Sequence, residues 1–130
     1  MCELVFNFKF KNKMIDIKKF IKSFKFAIEG LVHLFKTEQN FKIEILGVLV
    51  VSILIIYIQL TAIETVILIM VTASVLVMEI INSVLERLLD ILTKRKSKNF
   101  KILKDTMAAA VLLNAIVAVI VAIIIFGQYF

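Results

Sequence analysis

The chain has no proline and no tryptophan, and only one cysteine, one histidine and three glycines among its 130 residues. With no proline, nothing in the covalent chain forces a helix to break. Cys2 stands alone, which excludes an internal disulfide and falls short of a metal cluster. Gly30, Gly47 and Gly127 are scattered, so the chain has no Walker-type phosphate loop, no dinucleotide fingerprint and no glycine-rich kinase loop. The first residues are polar and lysine-rich rather than a short charged region followed by an apolar core, so no cleaved signal is expected.

What is present in abundance is apolar side chain: 62% of residues are hydrophobic and mean hydropathy is +1.02. A soluble domain of this size does not reach those values, so the chain reads as an integral membrane protein. Three stretches carry the hydrophobicity: Ile45 to about Leu60, Ile63 to Ile91 and Met107 to Phe130. The net charge of +6 is confined to two places, with every Lys and Arg lying between Lys9 and Lys42 or between Arg87 and Lys104. By the positive-inside rule the N-terminal region and the second connection face the cytoplasm, and the Gln59 to Glu64 turn and the C-terminus face outward. Because the charge follows topology and no aromatic-basic surface accompanies it, no nucleic-acid partner is expected.

The expected organisation is all-α. Residues 1–13 lack a helical period and read as a flexible tail; residues 14–130 form one membrane domain. Ile17, Phe20, Ile21, Phe24, Ile28, Leu31, Val32 and Phe35 recur at three- and four-residue steps opposite lysines, which predicts a basic amphipathic surface helix over 14–36. Three transmembrane helices follow, over about 41–60, 63–92 and 104–128. Thr37 is expected to cap the first of them, Phe26 and Phe41 read as interfacial anchors, and 93–100 is the second connection.

The second span carries polar groups that a membrane disfavours. At about 100° per residue, Asn82, Glu86 and Asp90 fall roughly −60°, −20° and +20° from Glu79, so the four share one narrow stripe. A charged group near a bilayer centre costs about 2.5–3.5 kcal/mol on insertion scales, which makes such a stripe a candidate site. Glu79 follows a long apolar run and is the deepest; scarcity of partners there suits a general base. Glu86 and Asp90 approach the basic loop, where carboxylates suit a hard cation with oxygen ligands, and Glu38 is the contributor expected from the mouth of the first span, with Glu44 nearby. Lys104 and Asp105 open the third span: the lysine suits a phosphate, and the aspartate can orient it or share the metal's neighbourhood. Interhelical pairing that merely specifies assembly is the plainer reading of the same set.

Three segments carry a family resemblance: Thr37 to Glu44 (TEQNFKIE), Glu79 to Asp90 (EIINSVLERLLD) and Lys104 to Leu112 (KDTMAAAVL). In order and approximate spacing the chain resembles the prokaryotic diacylglycerol kinases and the related undecaprenol kinases, from about Phe20 to the C-terminus. The resemblance implies a homotrimer in the bacterial cytoplasmic membrane that phosphorylates a membrane lipid hydroxyl with ATP and Mg²⁺. It places Glu79 as catalytic base and Glu38 and Glu86 as metal ligands. Asn82, Lys104 and Asp105 fall at ATP and phosphate positions, and Lys19, Arg95, Lys96 and Ser97 at looser nucleotide positions. Glu44 and Ala108, the latter in the Ala108 to Ala110 run of small residues, fall beside the lipid substrate. The usual Glu and His of the family's loop are replaced here by basic and small residues. Glu-x-Asn-Phe and the alanine run resemble the undecaprenol-phosphorylating members. The alternatives from other classes are a small proton-coupled cation or drug transporter, which uses the acidic group but neither Lys104 nor Asp105, and a pore-forming assembly factor.

Overall fold

The computed structural model describes residues 16–92 and 98–130, and all its regular structure is helical. In order the elements are α1 (Ile17–Thr37), α2 (Gln39–Ile58), α3 (Ala62–Leu92) and α4 (Lys98–Phe126). The tail expected over 1–13 and the loop residues Arg95, Lys96 and Ser97 lie outside the described residues.

The chain divides into two units, 1–33 and 34–130. In the first, α1 starts at Ile17 because Asp16 caps it: Asp16 Oδ1 accepts from the Lys19 amide at 3.3 Å, and Asp16 O from the Phe20 amide at 3.0 Å. Ile17, Phe20, Ile21 and Phe24 form an exposed apolar stripe on it, as an amphipathic surface helix requires. Lys22 Nζ stands 5.6 Å over the ring of Phe26.

In the second unit α3 packs against both α2 and α4. All three are long and apolar enough to cross a membrane. At about 1.5 Å per residue α2 matches the roughly 30 Å hydrocarbon layer, whereas the 31 residues of α3 reach about 46 Å and project beyond it. Large apolar side chains such as Ile53, Ile56, Ile63 and Ile91 are exposed along these helices, where a bilayer supplies the apolar surroundings that water does not.

Several boundaries differ from expectation. The N-cap of α2 is Glu38, with extended backbone, while Thr37 is the last residue of α1. α4 begins at Lys98, inside the segment read as a connection, because polar lysines and Asn99 are compatible with helix even though they mark the end of the hydrocarbon. Phe41 is buried at 4% exposure and serves as core rather than as an interfacial anchor.

The α2–α3 turn has neither glycine nor proline and is built by other means. Gln59 ends α2 in the left-handed region at φ 53°, where glycine is usual. Thr61 and Glu64 then form a reciprocal capping box: the Thr61 amide and hydroxyl donate to Glu64 Oε2 at 2.9 and 2.6 Å, and the Glu64 amide donates to Thr61 Oγ1 at 3.4 Å. The Tyr129 hydroxyl donates to the same Glu64 oxygen at 2.7 Å, which ties the C-terminal segment to the turn. That bond holds the Tyr129 phenol above its usual titration range.

Thr61→Ala removes one half of the box and is expected to cost about 1 kcal/mol. Titration with sodium dodecyl sulfate in mixed micelles reads it, and Thr61→Ser should be close to neutral.

Candidate active site

The buried polar groups of the second unit belong to one face of α3. Glu79 is 2% exposed, Asn82 7% and Ser83 2%. Exposure then rises toward the end of the helix, with Glu86 half-buried and Asp90 exposed. Ser83 was not singled out by the sequence, although it lies four residues after Glu79 and therefore on the same face.

Two side-chain bridges between α3 and α4 bracket this face. Asp90 accepts a short hydrogen bond from Lys104 Nζ near the 93–97 connection. Deeper, Ser74 Oγ stands 3.2 Å from Asn114 Oδ1 and also donates to the Val71 carbonyl at 2.7 Å. Of the small residues Ala108, Ala109 and Ala110 on α4, the first two are exposed and Ala110 is half-buried.

Burial leaves several acceptors unsatisfied. Among the described residues Glu79 Oε2, Asn82 Oδ1 and Glu44 Oε2 have no hydrogen-bond donor, nor has Asn114 Nδ2 an acceptor. Each such group costs about 1–3 kcal/mol relative to a satisfied one. Glu38 and Glu86 are close enough for their charges to act on Glu79, and Glu79 acts in turn on Glu44. Glu38, Glu44 and Glu86 therefore all lie within electrostatic range of Glu79. Glu44 also lines an apolar cavity of about 190 Å³ among α2, α3 and α4, together with Gly47, Leu68, Thr72 and Ala118.

Cations meet the carboxylates from outside. Arg87 Nη2 donates to Glu38 Oε1 at 2.9 Å and to Thr37 Oγ1 at 2.7 Å, a bridge that the sequence reading passed over because Arg87 lies beside the stripe. Lys104 is bonded to Asp90, while its sequence neighbour Asp105 is exposed, as successive helical residues point about 100° apart. Ala108 is exposed on α4. Lys19 belongs to the first unit, where its ammonium lies 3.6 Å from Asp16.

Among the described residues no group of three or more His, Cys, Asp and Glu side chains is close enough to cage a metal ion. An ion that keeps several waters and takes its other ligands from phosphates needs only one or two protein carboxylates, which is the chemistry of Mg²⁺.

An all-helical membrane protein with an acidic seam at one end of its bundle and cations beside it is the class that fold and site define. Residues 25–126 match the family model of prokaryotic diacylglycerol kinase, and the chain belongs to that family of membrane lipid kinases. It is 28% identical over 116 residues to an undecaprenol kinase of Bacillus subtilis, covering 89% of this chain and 94% of that protein. It is 35% identical over 100 residues to a diacylglycerol kinase of Synechocystis, covering 76% of this chain and 57% of that protein.

Because Ser83 is enclosed, Ser83→Leu is expected to destabilise the bundle by about 1–3 kcal/mol through overpacking, whereas Ser83→Ala is tolerated. Thermal unfolding of the two purified variants in detergent separates them.

Proposed function

We propose that the chain transfers the γ-phosphate of ATP to the hydroxyl of a membrane lipid at the cytoplasmic interface. The observation that carries this reading is Glu79: a carboxylate buried to 2% exposure, with one oxygen lacking any donor, in a chain of the lipid kinase family. An unclaimed carboxylate oxygen at the buried end of the acidic stripe can accept the proton of an attacking hydroxyl. Asn82, one turn along α3, offers an amide to orient that hydroxyl.

Glu38 and Glu86 are the residues to hold Mg²⁺, which when bound neutralises charge on the ATP phosphates. Lys104 supplies a fixed positive charge to the same phosphates once it exchanges Asp90 for them, and Asp105, Lys19, Arg95, Lys96 and Ser97 complete the nucleotide contacts. Glu44 and Ala108 border the lipid, with the apolar cavity beside Glu44 giving hydrocarbon a place to lie. The active assembly is a homotrimer with its N-terminus in the cytoplasm and its C-terminus outside. A proton-coupled transporter uses Glu79 but assigns no work to Lys104 or Arg87, and the family membership disfavours it.

Undecaprenol is the first substrate to offer, because the relative matched over nearly its whole length is an undecaprenol kinase. The purified chain in phospholipid vesicles, given radiolabelled ATP and either undecaprenol or diacylglycerol, is expected to move label into a lipid product. ATP hydrolysis with no labelled lipid, or no ATP turnover at all, rejects the proposal. In the same assay Glu38→Gln and Glu86→Gln should each raise the Mg²⁺ concentration for half-maximal rate by at least roughly tenfold. An unchanged titration in both removes them from the ligand set.

A further inference from the structure

We infer that Arg87 is the resident counter-ion of Glu38, holding that carboxylate while no divalent cation is bound and giving it up when one arrives. The inference rests on the metal role proposed for Glu38 and Glu86 and adds a residue to it. At an N-cap an acceptor side chain normally turns back onto the free amides of the first helical turn. Glu38 occupies that position in α2, with φ −100° and ψ 120°, yet makes no such bond. Its Oε1 is held from α3 instead, at 2.9 Å, by Arg87 Nη2. The same nitrogen carries a second proton and uses it on Thr37 Oγ1 at 2.7 Å. One guanidinium thus fixes the end of α1 and the cap of α2 to the shallow half of α3, beside Glu86.

The surroundings show what this bridge compensates. Glu38, Glu79 and Glu86 lie close enough for the first and third to act electrostatically on the second. Among the described residues Arg87 is the one cation within ion-pair distance of any of them. Two nearly buried acceptors on the same face, Glu79 Oε2 and Asn82 Oδ1, have no donor. The cluster is therefore short of positive charge even with Arg87 in place. The pair is also exchangeable: the Arg87 and Glu38 side chains are 41% and 30% exposed, and a partly hydrated ion pair holds weakly. A guanidinium keeps its charge at every accessible pH, so the exchange answers to cation occupancy and not to protonation. Once released, the planar fork of Arg87 matches the oxygens of a phosphate, and we assign it to the nucleotide.

The test uses Mn²⁺ as a spin-visible probe, with free ion measured by electron paramagnetic resonance on the purified full chain in the absence of nucleotide. Arg87→Gln is expected to bind Mn²⁺ roughly three- to fivefold more tightly than the wild type, the scale of a partly exposed ion pair. At saturating Mn²⁺ it should bind a non-hydrolysable ATP analogue more weakly. Arg87→Lys, which keeps the charge without the fork, should fall between the two and guards against a folding defect in the first variant. Unchanged or weaker Mn²⁺ binding in Arg87→Gln overturns the inference, because a guanidinium that merely braces three helices gives that result. Glu38→Gln distinguishes the two levels of failure. If it binds Mn²⁺ as the wild type does, the metal role of Glu38 falls and the inference with it; if it loses Mn²⁺ while Arg87→Gln changes nothing, the exchange alone is wrong.

Discussion

An apolar bundle that encloses a carboxylate without giving both its oxygens a donor holds a group that water would solvate better. In this chain the group is Glu79, 2% exposed on α3, with one oxygen lacking a donor among the described residues. The surrounding features follow from accommodating it. Asp90 with Lys104, and Ser74 with Asn114, fasten α3 and α4 above and below. Small polar contacts of this kind, each worth about 0.6 kcal/mol in membrane bundles, keep a seam closed that hydrophobicity alone cannot close inside lipid.

The charges near this seam are organised by burial. Among the described residues Glu79 is buried with no cation within ion-pair distance; Glu38 and Glu86 are less buried, and only Glu38 is bonded to one, Arg87; Asp90 is exposed and takes Lys104. Arg87 and Lys104 are thus each paired with a carboxylate at the less buried edge of the site while the buried carboxylate is left open. Such an edge is suited to trade carboxylate partners for phosphate oxygens, and phosphoryl transfer depends mostly on that kind of positioning and neutralisation. With no glycine loop available to cradle phosphates, side-chain cations and a hydrated metal ion are the means this chain has.

Much of this was legible in the residues. The four-member stripe and its gradient of burial followed from a three- and four-residue step inside an apolar run, because helical period and hydrophobic context are local properties. The basic amphipathic character of α1 was legible for the same reason. What could not be read were pairings between elements. Asp90 was grouped with Glu86 as a carboxylate for a cation until α4 brought Lys104 to it, and Arg87 gained meaning only when the α1–α2 junction placed Glu38 and Thr37 within reach. Phe41 looked like an interfacial ring by composition and is buried by packing. Other misses carried signals in plain view: Thr61-x-x-Glu64 has the pattern of a capping box, Asp16 precedes the first periodic residue of α1, and Ser83 lies one turn from Glu79. The start of α4 at Lys98 was misplaced because apolarity marks where the membrane begins and not where a helix does.

The central claim is that Glu79 is held buried for chemistry and contributes nothing to holding the bundle together. Glu79→Gln tests it most directly when lipid phosphorylation and unfolding are measured on the same preparation. The account predicts a rate at least roughly 10²-fold lower, with stability equal to or above that of the wild type, since a neutral amide is cheaper to bury than a carboxylate. A variant that keeps its rate, or one that loses rate and stability together, contradicts it.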